Sequence, residues 1–214
     1  MTLLAIDTTG ADCAVALRAA GRPDLVLSEP IGRGHAERLA PMVEAVLAEA
    51  GLAPGDLDRI GVTVGPGSFA GTRVGTAFAR GLALATGARA VGIANLAVIA
   101  HQHGDVCPLA VLHDAKRGEI IVQLWTDAGS QPPERLPLAD VSARIRELGG
   151  PRVVLAGSGA ALVPAGDFEC APGSSLDMSA LLDLTAAADP DTAPASPFYA
   201  RPPDAKLPGG VEPA

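Results

Sequence analysis

A glycine-rich turn is the segment of this chain best suited to binding a ligand. It reads Gly65-Pro66-Gly67-Ser68-Phe69-Ala70-Gly71 and lies between a β-branched segment and a helical one. Glycine permits a positive φ and a close approach of the backbone, and the start of a helix offers N–H donors to an anion. The turn predicts either a phosphate or nucleotide loop or a tight turn that packs a helix against a sheet. In the first case the binding residues would be Gly65, Gly67, Ser68 and Gly71.

Better-known glycine motifs do not match this turn. It lacks the Gly-Lys-Ser/Thr of a P-loop, and Gly71 falls one residue late for a dinucleotide fingerprint. Around Ser68, Pro66 and Ala70 occupy the positions that are glycine in a serine-hydrolase elbow. The sequence therefore disfavours these classes.

Asp7 is the second candidate, because it ends the first apolar segment and is followed by Thr8 and Thr9. A carboxylate at such a strand end can hold a hydrated Mg²⁺ in phosphoryl-transfer folds with an actin-like cleft. Alternatively, these residues form an Asx or threonine turn that closes a hairpin. Asp7 and Thr8 thus join the turn as candidate cofactor-binding residues.

Histidine and cysteine spacing predicts no metal site. None of the four histidines is paired with another at i, i+4, and the three cysteines are far apart without a Cys-x-x-Cys. We predict no metal ligand and no disulfide.

The elements around these residues follow from apolar periodicity. An apolar stripe predicts a helix over His35–Ala50, Ile60–Val64 is a β-branched strand, and a second helix covers Thr72–Thr86. The pattern restarts with a strand at Pro108–His113, which favours two related α/β lobes with mixed sheets. We predict a first lobe over 1–104, a smaller second lobe over 105–188, and a proline-rich extended tail over 189–214 with a disordered end.

The helix predicted at Thr72–Thr86 has two faces of small residues. Gly71, Gly75 and Ala79 recur every four residues on one face, and Ala77 and Gly81 belong to the other. Because glycine costs about 1 kcal/mol of helix stability relative to alanine, close packing should compensate. One face could meet the lobe's own sheet and the other a partner protein, and the sequence does not decide which.

Composition narrows the class of protein. Apolar residues make up 48% of the chain, which excludes a disordered protein, and no apolar stretch reaches the roughly 18 residues of a membrane span. The 16 basic and 24 acidic residues give a formal net charge of −8, so the chain is poorly suited to binding tRNA or DNA by itself. Unpaired cysteines and the absence of a signal peptide predict a cytoplasmic location.

Taken together, the segments resemble the TsaB (YeaZ) family in order and spacing over about residues 1–205. They are Ala5-Ile6-Asp7-Thr8, His35-Ala36-Glu37-Arg38-Leu39, Gly65-Pro66-Gly67-Ser68-Phe69-Ala70-Gly71-x-Arg73-x-Gly75, Ala79-x-Gly81-Leu82-Ala83, Asp114-Ala115-x-Arg117-Gly118-Glu119 and Pro197-x-Tyr199-x-Arg201. The chain departs from the family pattern at Ala70 and Ala36, each of which removes a hydroxyl group.

The resemblance implies RNase H-like lobes of the actin/Hsp70/sugar-kinase superfamily. It also implies a non-catalytic role, with no catalytic residue of the chain's own, in forming N6-threonylcarbamoyladenosine at position 37 of tRNAs that read ANN codons. The implied partners are the catalytic subunit TsaD, the ATPase subunit TsaE and, for the chain alone, a second copy. ATP or ADP with Mg²⁺ would lie near the complex interface rather than in this chain, and tRNA would be bound mainly through the complex.

The surface that the resemblance implies for these partners lies on the two first-lobe helices. Its residues would be His35, Leu39, Arg73, Gly75, Thr76, Ala79, Arg80 and Ala83. Two other functions stay open from the sequence: an actin-like kinase or ATPase that uses Asp7, the glycine turn and Asp114, and, more remotely, a peptidase.

Overall fold

A computed structural model describes residues 1–104, 106–164, 166–173 and 175–198. The first sheet has the strand order β3-β2-β1-β4-β5, in which β1 pairs antiparallel with β2 and parallel with β4. Its strands are β1 (Leu3–Asp7), β2 (Asp12–Arg18), β3 (Leu25–Pro30), β4 (Arg59–Thr63) and β5 (Arg89–Ile93). The mixed sheet places the end of β1, and hence Asp7, at its centre.

Both faces of this sheet are covered, because side chains alternate along β1. Leu4 and Ile6 pack under helices α1 (His35–Ala50) and α2 (Phe69–Thr86), whereas Leu3 and Ala5 belong to a core on the opposite face. This alternation follows from the two-residue period of a strand. A short 3₁₀ helix, Pro54–Asp56, links α1 to β4.

The second sheet repeats the plan of the first. Its order is β11-β10-β6-β7-β8, with β9 also pairing with β7. The central strand β6 pairs parallel with β10 and antiparallel with β7, as β1 pairs with β4 and β2. Its strands are β6 (Leu109–Asp114), β7 (Glu119–Thr126), β8 (Gly129–Ser130), β9 (Glu134–Pro137), β10 (Val154–Ala156) and β11 (Glu169–Cys170). The predicted pair of RNase H-like lobes is confirmed.

Helices cover both faces of the second sheet. Helix α4 (Leu138–Gly149) contributes Val141 and Ile145 to one core, and α3 (Asn95–Gln102), which joins the lobes in sequence, contributes Leu96 and Ile99 to the other. A 3₁₀ helix, Ala160–Leu162, follows β10. Within the described ranges, no helix combines the length and apolarity that crossing a membrane requires.

The last helix, α5 (Met178–Ala187), follows the second sheet in the chain but packs on the first. Leu181 and Leu182 are fully buried there. A Cβ at Gly61 would lie 1.8 Å from Thr185 Oγ1, so a glycine lets α5 approach β4 this closely. The division of the sequence at 105–188 therefore does not follow the packing, because α5 completes the open face of the first sheet.

Residues 188–198, which we call the strap, continue from α5 along the first lobe. The Gly92 N–H donates to the Ala193 carbonyl at 3.0 Å, and Ala195 is buried in the first core. The strap covers residues 189–198 of the predicted extended tail. The prediction that its end is disordered concerns residues 199–214, which lie outside the described residues.

Candidate functional site

The end of β1 is organised by the carboxylate of Asp7, which is 7% exposed. Asp7 Oδ1 accepts hydrogen bonds from the Thr9 N–H at 3.0 Å, from Thr9 Oγ1 at 2.6 Å and from Thr63 Oγ1 at 2.6 Å. A buried carboxylate needs such partners, because an unpaired charge away from water is costly. The predicted Asx turn is therefore present at Thr9, and a hydroxyl group from β4 supports it.

Asn95 extends this network to the glycine turn. Its Nδ2 donates to Thr9 Oγ1 at 2.5 Å, and its Oδ1 accepts the Gly65 N–H at 2.9 Å. Asn95 is 8% exposed and opens helix α3, which leads into the second lobe. The sequence analysis did not identify Asn95, because nothing in its local sequence indicates that its amide bridges two distant loops.

The glycine turn packs directly on the residues that follow Asp7. The Ser68 N–H donates to the Thr9 carbonyl at 2.7 Å, and Thr8 Oγ1 donates to the Gly71 carbonyl at 2.7 Å. A Cβ at Gly67 would lie 2.7 Å from the Thr9 carbonyl oxygen, and one at Gly71 would lie 1.9 Å from that of Thr8. These glycines thus allow one backbone to rest against another.

Ser68 is also the N-cap residue of helix α2. Its Oγ accepts the Gly71 N–H at 3.2 Å, which satisfies one of the unpaired donors at the helix start.

The structure brings together the six residues predicted as a cofactor site, and they contact one another. They are Asp7, Thr8, Gly65, Gly67, Ser68 and Gly71. Gly67 and Gly71 therefore serve the packing of the turn on Thr8 and Thr9. The binding of a phosphate or nucleotide by these residues stays a prediction.

The second lobe carries a matching aspartate. Asp114 ends β6 as Asp7 ends β1, and its Oδ1 accepts the Lys116 N–H at 2.8 Å. The Lys116 ammonium lies 2.6 Å from Asp114 Oδ2, and its hydrogen bonds hold the pKa of this carboxyl below its ordinary value. Lys116 and Arg117 both have positive φ, which is uncommon outside glycine. Next to them, burial lowers the pKa of His113.

No cluster of His, Cys, Asp and Glu that could hold a metal ion occurs among residues 1–104, 106–164, 166–173 and 175–198. Cys13 is buried, and this burial raises the pKa of its thiol to about 11. It therefore behaves as a small apolar residue rather than as a nucleophile.

The structure shows which of the two small-residue faces of α2 is buried in the lobe. Gly75, Thr76 and Ala79 are buried, and a Cβ at Gly75 would lie 2.5 Å from Thr8 Oγ1. Leu39 of α1 is 1% exposed in the same core. These four residues, predicted to bind a partner, are instead part of the lobe's own packing. Gly75, Thr76 and Ala79 are small because α2 lies directly on β1 and β4.

The other predicted partner-binding residues reach the surface. Arg73 and Arg80 are exposed, Ala83 and His35 are half-buried, and His35 Nε2 lies 3.3 Å from the Asp12 carbonyl oxygen. Their role in binding a partner stays a prediction.

The outward face of α2 is a stripe of small residues edged by positive charge. We call it the α2 stripe; it comprises Arg73, Ala77, Arg80, Gly81 and Leu84, all exposed. Leu84 is 89% exposed, and a Cβ at Gly81 would meet no atom within 4 Å. The neighbouring outward face of α1 carries Glu37 and Glu44. Two adjacent helices thus present opposite charges.

Comparison with known proteins identifies relatives of this architecture. The family model described as TsaD, tRNA N6-adenosine threonylcarbamoyltransferase, matches residues 26–131, which include α1 and α2. The tRNA threonylcarbamoyladenosine biosynthesis protein TsaB of Bacillus subtilis is 31% identical over 167 residues, 72% of this chain and 70% of that protein. The Haemophilus influenzae protein of the same name is 39% identical over 100 residues, 47% of this chain and 42% of its own length.

Solved structures agree with these matches. The structure of YeaZ from Pseudomonas aeruginosa is similar with a TM-score of 0.72 at 26% identity, covering 92% of this chain and 99% of that one. Similarity thus extends over both lobes. The chain belongs to the TsaB (YeaZ) family.

Proposed function

We propose that this chain is a non-catalytic subunit in the formation of N6-threonylcarbamoyladenosine at position 37 of ANN-decoding tRNAs, where it supports the catalytic subunit TsaD. The biosynthetic role is the one for which its TsaB relatives are named. The observation that carries the subunit role is the α2 stripe, which has the features of a helix-docking surface and lies within the region similar to TsaD.

The α2 stripe suits another helix for two reasons. Ala77 and Gly81 leave its centre without bulk, so a second helix can approach closely. Arg73 and Arg80 on α2 and Glu37 on α1 carry opposite charges at exposed positions, and such charges set the orientation of a partner more than its affinity. A partner with a related helix pair can present the reverse arrangement to both helices at once.

The proposed lack of catalysis rests on the packing of the glycine turn against Thr8 and Thr9 and on the spacing of the histidines. TsaD-type catalysts hold their metal with a His-x-x-x-His pair, and none of the four histidines here is spaced in that way. ATP or ADP with Mg²⁺ would accordingly bind near the interface of the complex rather than between Thr8 and Gly71.

The chain is proposed to assemble with three kinds of partner: a second copy, other protein subunits and tRNA. The chain alone would form a homodimer through the same helices, and TsaE would join the complex with TsaD. The net charge of −8 supports binding of tRNA mainly through the partner. The place of action would be the cytoplasm.

Reconstitution with TsaD and TsaE tests this function. Modified tRNA should form only when the chain is added, and equal product without it would refute the proposal. The variant Gly81→Leu should lower the affinity for TsaD at least about tenfold, a loss of about 1.4 kcal/mol. This substitution favours the helix, so unfolding would not explain the loss. Arg152→Leu, at an exposed position of the second lobe, is the matched control and should bind normally.

An actin-like ATPase is the second candidate, because Asp7 and Asp114 end the central strands of their sheets in the same way. Turnover of Mg²⁺-ATP by the isolated chain, lost in Asp7→Ala but kept in the Arg152→Leu control, would favour it. Absence of turnover with normal support of TsaD would favour the non-catalytic subunit.

A further inference from the structure

Helix α3 connects the two lobes, and its first residue is bonded to two loops of the first lobe. Asn95 Oδ1 accepts the Gly65 N–H at 2.9 Å, and the Asn95 N–H donates to the Gly65 carbonyl at 2.9 Å. Asn95 Nδ2 donates to Thr9 Oγ1 at 2.5 Å. A single residue thus holds both the glycine turn and the loop that follows β1.

The rest of α3 belongs to the second lobe. Leu96 and Ile99 are buried in the core that α3 forms with the second sheet. Asn95 is 8% exposed, so the groups that it pairs would lose their partner in a place with little access to water, which is costly. A movement of the second lobe would therefore act directly on Gly65 and Thr9.

Thr9 connects Asn95 to the start of α2. The Thr9 carbonyl accepts the N–H of Ser68, the N-cap of α2, at 2.7 Å. The Ser68 carbonyl accepts the Thr72 N–H at 2.9 Å, which closes the first turn of the helix. Within the described part of the chain, none of the hydrogen bonds of Asn95 goes to Ser68 or Thr72. An effect of Asn95 on these two residues must therefore be transmitted through others.

We propose that Asn95 is a positioning residue of the α2 stripe, because it links the second lobe to the first turn of α2 through Gly65 and Thr9. A subunit bound to the α2 stripe would then respond to the second lobe without contacting it. The part of this inference that concerns TsaD rests on the proposed function, in which TsaD binds the α2 stripe.

Amide hydrogen exchange, followed by NMR in the full-length protein, tests the link without a partner. In Asn95→Ala the Ser68 and Thr72 amides should exchange at least about tenfold faster, because the groups that hold the turn lose a buried partner. The amides of β7 in the second sheet should keep their wild-type rates. The affinity for TsaD should fall at least about threefold, as expected for a residue that acts on a binding surface from a distance.

Gln102→Ala, at the other end of α3, is the matched control. Gln102 Nε2 donates to the Ser175 carbonyl at 3.0 Å, and its Oε1 accepts the Asp177 N–H at 3.0 Å. The variant also removes a side-chain amide with two backbone partners, but both partners lie just before α5 and not in the glycine turn. Exchange at Ser68 and the affinity for TsaD should therefore stay at their wild-type values.

Unchanged exchange at Ser68 and Thr72 in folded Asn95→Ala would overturn the proposal. Faster exchange that the amides of β7 share equally would also overturn it, because Asn95 would then only stabilise the protein as a whole. If circular dichroism shows that Asn95→Ala does not fold, Asn95→Ser, which keeps a small polar group at the start of α3, takes its place.

The affinity measurements separate this inference from the proposed function. Faster exchange at Ser68 with an unaltered affinity for TsaD would show that Asn95 does not position the α2 stripe for its partner. If the wild type itself does not bind TsaD, the proposed function fails, whereas the exchange rates still decide whether Asn95 links the second lobe to α2.

Discussion

The packing of Gly75 against Thr8 predicts a specific energetic coupling between α2 and β1. In Gly75→Ala the new Cβ would lie 2.5 Å from Thr8 Oγ1, 3.2 Å from Val62 Cγ2 and 3.8 Å from Thr8 Cβ. The hydroxyl group cannot simply turn away, because it donates to the Gly71 carbonyl at 2.7 Å. The substitution therefore crowds a buried contact and threatens a buried hydrogen bond.

Three contributions determine how much Gly75→Ala changes the free energy of unfolding. Overpacking costs about 1–3 kcal/mol, and a disrupted buried hydrogen bond costs about 1–3 kcal/mol. Replacing glycine by alanine in a helix returns about 1 kcal/mol. We expect Gly75→Ala to lower the free energy of unfolding by about 3 kcal/mol. This differs from the role in partner binding that the family resemblance implied for Gly75.

Removing the hydroxyl group should abolish most of this cost. In a Thr8→Ala background the nearest atom that remains is Val62 Cγ2, so Gly75→Ala should change the free energy of unfolding by less than about 1 kcal/mol. The measurement is urea unfolding, followed by circular dichroism, of the wild type, both single variants and the double variant. The matched control is Gly81→Ala on the open face of the same helix, which should stabilise by up to about 1 kcal/mol.

The double-mutant cycle can refute this reasoning. If Gly75→Ala costs the same with and without the Thr8 hydroxyl group, the two residues do not couple and α2 does not pack on β1 as described. Contacting residues normally show coupling well above the roughly 0.5 kcal/mol expected for distant sites.

Further predictions concern α5, the second lobe and the thiols. Gly61→Ala should destabilise by about 3 kcal/mol or more in urea unfolding, and Thr185→Ala should not rescue it, because the Cβ of residue 185 would still lie 2.8 Å away. Lys116→Met should raise the pKa of Asp114 in carboxylate NMR titrations, because the lysine holds it low. The contribution of Asp114 to stability should therefore be present above its ordinary pKa and be lost as pH falls through its lowered one, and an unchanged titration would contradict the pairing. Cys13 should not react with a thiol reagent at pH 8 until the protein unfolds, whereas the two exposed cysteines should react in the native state.

Local periodicity was sufficient to predict much of the fold. The stripe that includes Leu39 and Met42 predicted helix α1 with the bounds that the structure shows, His35–Ala50. Helix α2 begins at Phe69 rather than at the predicted Thr72, because the cap at Ser68 lies inside the glycine turn. The short strands β8, β9 and β11 were not predicted, because they depend on pairing with neighbours more than on their own sequence.

The sequence did not show which distant segments pack against one another. The two faces of α2 have residues of similar size, and only the position of Thr8 beneath Gly75 decides which face turns inward. Likewise, an apolar helix such as α5 does not indicate which of two sheets it covers. The sequence allowed a tight turn at residues 65–71, and the structure has one. The residues that hydrogen-bond to this turn, Thr9 and Asn95, come from distant segments.

The return of α5 to the first sheet has a consequence for the order of folding. One face of that sheet depends on Leu181 and Leu182, which are synthesised after the whole second sheet. The second lobe is contiguous in sequence, so it can fold while its partner is still open on one side. On the ribosome the N-terminal lobe should therefore be the last to become protease-resistant, contrary to the usual N-to-C order.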